Sequence, residues 1–196
     1  MAETVASERV HKYFNQIEEG IAKGYKVAKE VREKGLDPED RVDIPLARNM
    51  AERVTGLISI VAPQLMEEKT KEKVTKRIQE LEKEYSLLDW RVALKISEEV
   101  AKEKFCKFKD KLEAMEIGIR MGFAYLTLGI VSAPLEGFIG LKIKKRKDGK
   151  EYFALQYAGP VRGAGGTAAA TSVILGDYIR TVMGYAKYDP EEKEIN

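Results

Sequence analysis

The sequence is poor in the residues that build metal sites and disulfides. Its 196 residues include one cysteine, Cys106, and one histidine, His11. The two are far apart, and neither has a metal-ligating neighbour at a useful spacing. A disulfide framework within the chain and a zinc site of the usual ligand spacing are therefore excluded. This composition is typical of a reducing cytoplasm. The first residues show no basic segment followed by an apolar run, so we expect no secretory signal.

Long apolar runs are also missing. The longest, residues 121–133, lies between Arg120 and Pro134, and it is shorter than the roughly 20 residues that span a bilayer. We predict a buried helix there and no membrane partner.

Catalytic motifs are absent as well, since no GxSxG, HExxH or DxD sequence occurs. No pair of carboxylates has a context that marks it as catalytic. The candidate acids were Glu116, Glu136, Asp177 and Asp189. We therefore predict no catalytic residue, no metal site and no cofactor in this chain.

What the chain does contain is typical of a globular protein. Hydrophobic residues make up 44% and charged residues 34%, and the formal net charge is only +2. Lysine and glutamate dominate the charges, which favours a protein from a hot environment. Because the net charge is small, a nucleic-acid site would have to be a local basic patch.

Apolar residues at three- and four-residue steps predict helices through the first two thirds of the chain. One begins after Ser7 and closes at Gly35, a second starts near Asp43 and breaks at Pro63, and a charged helix follows over about 67–85. The charged helix carries a narrow apolar seam, formed by Val74, Ile78 and Leu81. With this seam the helix is interpreted either as a partner surface or short coiled coil, or as an ordinary bundle helix with a solvated charged face.

Two further helices are predicted before the pattern changes. Asp89 is the expected N-cap of the first, and the second runs over 109–131 until SAPLEG ends it. Period-2 alternation then predicts strands FIGLKIKKR and EYFALQY around KDGK, with the turn at Asp148 and Gly149. The expected inward side chains are Ile139, Leu141, Ile143, Phe153, Leu155 and Tyr157.

The predicted fold class is α+β. A helical region over 1–87 precedes a region over 88–196 that holds a helix, the β-hairpin and a glycine turn leading into a last helix. We expect a small mixed sheet, whose third strand would come from residues after 196 or from another chain, because a lone hairpin is rarely stable.

The hairpin tip is the densest basic patch in the sequence. Its cations are Lys142, Lys144, Lys145, Arg146, Lys147 and Lys150. Such a tip either lies along a nucleic-acid backbone or protects a sheet edge from aggregation. No aromatic residue lies within the tip, so base stacking is not expected there.

The stretch YAGPVRGAGGTAAA, residues 157–170, is rich in glycine. It lacks the lysine of a Walker A loop, and its G-x-G-x-x-A pattern follows an antiparallel hairpin rather than a parallel strand, which argues against a dinucleotide site. Two interpretations stay open. The stretch is a tight corner, or the amides of Gly165, Gly166 and Thr167, with Thr167 as N-cap and Arg162 beside it, face a phosphate.

Residues 88–189 resemble a known family. The segments LDWRVALKISEEVAKEKFCKF, APLEGF, KIKKRKDGKEYF, GPVRGAGGT and MGYAKYDPEE are together similar to the N-terminal region of the large subunit of archaeal family D DNA polymerase (DNA polymerase II). The similarity is looser before residue 88. Ala158 and Gly163 stand where serines are associated with the family, so any contact made by those hydroxyls is missing here.

The resemblance implies a fragment of the polymerising subunit of a two-subunit, cytoplasmic replicative polymerase. Catalytic carboxylates that hold Mg²⁺ are then expected in the missing core, and a small exonuclease subunit is expected as a partner. Other implied partners are DNA, the remainder of the large subunit and a second copy in a homodimer. Our leading hypothesis is an accessory, assembling and DNA-contacting domain that uses the hairpin cations and Arg162. The alternative is a purely structural module for oligomerisation or subunit docking.

Overall fold

A computed structural model of the chain describes residues 7–36, 47–164, 166–190 and 193. The chain divides into two compact units, residues 1–43 and 44–196. The predicted boundary between residues 87 and 88 does not coincide with this division. It falls instead within the second unit, where helices on both sides of it pack together. No helix in the described part is long and apolar enough to cross a membrane.

The described part of the first unit is one long helix, α1, Glu8–Glu33. Ser7 occupies the predicted N-cap position, but its carbonyl, not its hydroxyl, accepts from the amides of Val10 and His11. The helix closes at Gly35, whose φ of 66° favours glycine. None of its residues is buried, although it carries a clear apolar face. Exposed members of that face are Val10, Tyr13, Phe14, Ile17, Tyr25 and Val27.

Four helices begin the second unit: α2 (Met50–Ser59), α3 (Glu68–Tyr85), α4 (Trp90–Ala101) and α5 (Lys111–Leu126). A 3₁₀ turn at Pro63–Leu65 separates the first two, as the proline predicted. Side-chain N-caps stabilise the starts of α2, α4 and α5. The side chain of Asn49 accepts a hydrogen bond from the amide of Glu52 at the start of α2. In the same way, Asp89 accepts from the amide of Arg91 at the start of α4, and Asp110 accepts from the amide of Glu113 at the start of α5.

The second helix starts later than predicted. The expected start near Asp43 lies outside the described residues, and the described residues 47–49 are not helical. The helix instead begins after Asn49, because that side chain caps it.

The core is built around α5. Eleven of its residues are buried, and α4 packs close against it because α5 carries glycines where a side chain would clash. A Cβ on Gly122 would lie 2.1 Å from Ser97 Oγ, and one on Gly118 would lie 2.6 Å from the Ser97 carbonyl oxygen. The apolar seam of α3 joins this core, since Val74, Ile78 and Leu81 are buried. The seam is therefore the buried side of a bundle helix, and it is not a free partner surface.

The helix α5 is shorter than its sequence predicts. It ends at Leu126, not at residue 131, because Leu128 and Gly129 have left-handed backbone, with φ of 57° and 68°. Ser132–Gly137 forms a π-helical turn. The sequence predicted this segment only as the end of the helix. Arg120 holds this turn from α5, since its guanidinium donates to the carbonyl oxygens of Pro134, Phe138 and Ile139 and pairs with Glu116 at 2.8 Å.

The strands β1, Phe138–Lys145, and β2, Glu151–Tyr157, form the predicted antiparallel hairpin. One prediction about the inward side chains was wrong, because a bulge lies between Phe138 and Gly140. The extra residue shifts the alternation, so Phe138 is buried and Ile139, predicted to point inward, is 53% exposed. Leu141 and the rest of the predicted inward set are buried or half-buried.

The sheet gains one parallel element from its own chain. Ala186 forms an isolated parallel bridge with Tyr152, and its amide donates to the Glu151 carbonyl oxygen at 2.8 Å. The outer edge of β2 is thus covered locally by residues before 196, and neither a later segment nor another chain supplies this contact. The fold class is α+β, as the sequence predicted.

Two helices complete the second unit: α6, Gly159–Ala164, and α7, Gly166–Val182. The inner face of the hairpin packs on α7. The hydroxyl groups of Tyr157 and Ser172 are 2.7 Å apart, and Gly176 leaves room for Leu155, whose Cδ1 would lie 2.7 Å from a Cβ at that position.

Candidate nucleic-acid interface

Two of the predicted cations project from the outer face of the hairpin. In the register of the two strands, Lys142 lies directly opposite Ala154, and Lys144 lies directly opposite Tyr152. Side chains alternate along a strand, and directly opposed residues share a face. Lys142, Lys144, Tyr152 and Ala154 therefore lie on one face, opposite the face that packs on α7. Both lysines are exposed.

Two more cations border a cleft on the inner side of the tip. Lys145 and Lys150 line it together with Lys111 from the start of α5, and the cleft has a volume of about 640 Å³. Glu151 is the acidic residue of the lining. The amide of Lys150 donates to Asp148, and this hydrogen bond, followed by the charges of Arg146 and Lys150, lowers the pKa of the Asp148 carboxyl. The hairpin thus presents lysines on both of its faces.

Arg146 has a different role from its neighbours. Its guanidinium pairs with Asp148 and Asp189, at 3.0 Å each, and donates to the Lys187 carbonyl oxygen at 3.1 Å. Only 17% of the side chain is exposed. Arg146 therefore connects the hairpin tip to the segment that follows α7. Because its guanidinium is engaged in these contacts, it is not expected to contact a ligand. Lys147 is exposed at the tip.

The segment after α7 was not predicted to have a role. Tyr185 packs against Phe153 on the inner face, with ring centroids 5.0 Å apart, and Tyr188 packs against Tyr152 on the outer face, also at 5.0 Å. The two tyrosines three residues apart are the available sequence signal, but only the fold shows that the segment runs alongside β2 and places one ring on each face.

The glycine stretch forms a corner between β2 and two helices. Gly159 and Gly166 have positive φ, 52° and 48°, so these two positions favour glycine. Thr167 is not the N-cap, because α7 already begins at Gly166 and Thr167 lies in its first turn. Arg162 and Thr167 are exposed, whereas Gly165 lies outside the described residues. Phosphate contact at this turn stays a prediction.

Three of the four acidic residues considered at the outset have partners in separate parts of the fold. Glu116 pairs with Arg120 and accepts from the amide of Leu141, Asp177 pairs with Arg180, and Asp189 pairs with Arg146. Among the described residues, no three His, Cys, Asp or Glu side chains converge to hold a metal ion.

Comparison with known proteins shows the family of the chain. Residues 12–196 match the family described as "DNA polymerase II large subunit DP2, N-terminal". This chain belongs to that family. It is 49% identical to the DNA polymerase II large subunit of Nanoarchaeum equitans over 93% of the chain, 43% identical to that of Pyrococcus furiosus over 96%, and 40% identical to that of Methanococcoides burtonii over its full length.

The chain spans only 14–16% of the length of these relatives. The family match confirms the resemblance to the N-terminal region of the DNA polymerase II large subunit. The relatives carry that name, and the family D designation is not among the names found.

Proposed function

We propose that this chain is an accessory region of a replicative DNA polymerase large subunit and that it contacts the DNA backbone through the hairpin. The observation that carries the proposal is the distribution of charge. Lysines project from the outer face, the tip and the inner cleft of one hairpin. Lysines that lie along a phosphate backbone release counterions, which favours binding without regard to sequence.

Edge protection explains these lysines less well. The outer edge of β2 is bridged by Ala186, and the start of β1 is held by Arg120 and Glu116. The chain itself therefore covers part of each sheet edge. An aggregation safeguard does not require three lysines around an inner cleft.

The test is DNA binding by the 196-residue chain as a function of salt. The double variant Lys142→Glu, Lys144→Glu should lose most of its affinity, and the logarithm of the binding constant should depend less steeply on the logarithm of salt concentration. Each lost phosphate contact should reduce that slope by about 0.7–0.9. Lys73→Glu, Lys76→Glu on α3 makes the same change in net charge and should bind nearly as the parent does. Equal losses in both variants would contradict a hairpin site.

A second function, assembly, is favoured by α1. Its apolar face is exposed in this chain, and contiguous exposed apolar surface is typical of interaction sites. In this alternative the region docks other parts of the polymerase or a second copy. Light scattering on the parent chain and on Phe14→Ser, Ile17→Ser would detect it. A stable oligomer that the double variant abolishes, together with no DNA binding at low salt, would favour assembly over DNA contact.

The finer expectations from the resemblance belong to the same proposal. We place the Mg²⁺-binding carboxylates in the rest of a family D large subunit, which would perform the DNA-templated synthesis. The further partners are that remainder, DNA and a small exonuclease subunit. A cytoplasmic location and adaptation to heat complete the proposal. Primer extension by this chain alone should give no product.

A further inference from the structure

The outer face of the hairpin joins cations to an aromatic pair. Lys144 is directly opposite Tyr152, and the Tyr152 ring packs against Tyr188 at a centroid distance of 5.0 Å. Tyr188 is 46% exposed, and its partner Tyr152 lies on the hairpin face that also carries Lys142 and Lys144. This juxtaposition is not visible in the sequence, because Tyr188 is 44 residues from Lys144.

Four contacts hold Tyr188 in this place. Arg180 donates to the Tyr185 carbonyl oxygen at 2.7 Å, and the amide of Ala186 donates to Glu151 at 2.8 Å. Arg146 then binds on both sides of Tyr188, at the Lys187 carbonyl oxygen and the Asp189 carboxylate. The tyrosine is thus positioned by a braced segment. A side chain that is ordered before binding loses less conformational entropy when it takes up a ligand.

Lysines beside an exposed aromatic ring suit one class of nucleic acid in particular. Duplex DNA offers its phosphates but keeps its base faces stacked inside. Single-stranded DNA offers both phosphates and free base faces, and stacking of a base on an aromatic side chain contributes about 1–3 kcal/mol. Phosphate contacts to a duplex need only the lysines, whereas the exposed ring adds a stacking contact that is open to the single strand.

We propose that this outer face binds single-stranded DNA, with a base stacked on Tyr188 and neighbouring phosphates at Lys142 and Lys144. The inference rests on the proposed DNA contact and adds the strand state of the ligand. The lysines contribute to binding of either form of DNA, whereas Tyr188 contributes only to the single strand.

The experiment compares two labelled probes, oligothymidylate and a blunt duplex of equal length, by fluorescence anisotropy at low salt. Tyr188→Ala should weaken binding of oligothymidylate by about 10-fold and that of the duplex by less than 2-fold. Tyr188→Phe keeps the ring and should bind both probes as the parent does. Tyr13→Ala removes a tyrosine ring from α1 where the residue is 60% exposed; it is the matched control and should change neither affinity.

A local collapse of the braced segment in Tyr188→Ala is addressed by a second variant. In a Trp90→Phe background, Tyr188→Trp supplies the only tryptophan, whose fluorescence should be quenched by oligothymidylate and not by the duplex. The inference is overturned if Tyr188→Ala weakens both probes equally or neither, or if both probes quench alike. If the parent chain binds neither probe, the proposed DNA contact fails with it, and that outcome is distinct from a failure of stacking alone.

Discussion

Two helices of this chain, α1 and α5, show opposite relations between pattern and burial. The 26 residues of α1 carry a clear apolar face, and none of them is buried. The 16 residues of α5 have apolar side chains around most of the helix, and eleven residues are buried. Periodicity predicts which side of a helix is apolar. Whether that side is covered depends on what packs against it, and the two helices differ in that respect.

The burial of α5 is made specific by particular residues. Gly118 and Gly122 admit the neighbouring helix, and Arg120 satisfies carbonyl groups of the turn that leads into β1. These residues interrupt the apolar surface of α5, yet they determine how closely its neighbours approach. The following predictions test the contrast with α1, in order of decreasing effect.

The largest effect should come from Arg120→Ala. The guanidinium is 5% exposed and binds three carbonyl oxygens and Glu116. Its removal takes this donor from the three carbonyl oxygens and leaves Glu116 without its counter-ion, so we expect the free energy of unfolding to fall by about 3–5 kcal/mol. Chemical denaturation measures the change. Arg120→Lys keeps the charge but not the planar fork, and it should fall between the parent and Arg120→Ala. A loss below about 1 kcal/mol in Arg120→Ala would show that water or neighbouring groups replace the guanidinium.

A smaller loss should follow from a methyl group inside the α4–α5 contact. In Gly122→Ala the new Cβ would meet Ser97 Oγ and the Leu175 side chain, and such overpacking costs about 1–3 kcal/mol. Gly20→Ala is the matched change on α1, where no atom lies within 4 Å of the position. Because alanine is the better helix former, that variant should keep its stability and gain slightly in helicity. Circular dichroism melts compare the two, and equal destabilisation would break the contrast between these helices.

An exposed ion pair on α1 should also contribute less to stability than a partly buried one on α4. Lys26 and Glu30 on α1 are 77% and 53% exposed, whereas Glu98 on α4 accepts from Tyr178 at 2.6 Å and pairs with Lys102 at 2.7 Å. Burial alone would raise the pKa of Glu98, but the hydrogen bonds from Lys102 and Tyr178 and the nearby lysine charges outweigh it and lower the pKa to about 2.

Because this pKa lies below the ordinary value of 4.5, the ionised carboxylate stabilises the fold above about pH 5, and that contribution is lost as the pH falls towards 2. Glu98→Gln should reduce the dependence of stability on pH in this window, and Tyr178→Phe should reduce stability at pH 7 by about 1 kcal/mol. Glu30→Gln removes an exposed ion pair and should change stability at pH 7 by less than about 0.5 kcal/mol. Denaturation curves between pH 2 and 7 measure all three, and parallel profiles for parent and Glu98→Gln would refute the assignment.

The smallest effect should come from the apolar face of α1. Phe14 is 56% and Ile17 38% exposed, so Phe14→Ser, Ile17→Ser should change the free energy of unfolding of residues 44–196 by less than about 0.5 kcal/mol. A loss of more than 2 kcal/mol in chemical denaturation would mean that this face is covered in solution. Repeating the measurement at several protein concentrations would show whether a second copy covers it.

The helices, the hairpin and the basic tip were predictable because each depends on residues close together in sequence. The errors arose where a single residue changed local geometry. The bulge at Ile139 reversed one side chain, and left-handed backbone at Leu128 and Gly129 ended α5 early. The candidate interface was predicted only in part. Its lysines follow from the sequence, but the brace formed by Arg146 and the position of the Tyr188 ring depend on contacts between residues that are 43 and 36 apart in sequence, respectively.

By itself, the sequence determined the helix and strand periods, the charge of the hairpin tip and the family to which the chain belongs, since these are properties of neighbouring residues and of motif order. Only the tertiary structure decided which apolar faces are covered, which cation braces the fold and which aromatic ring stands beside Lys144. The reason is physical. Burial and pairing are set by which distant groups are brought within a few ångströms of each other, and local pattern does not specify those distances.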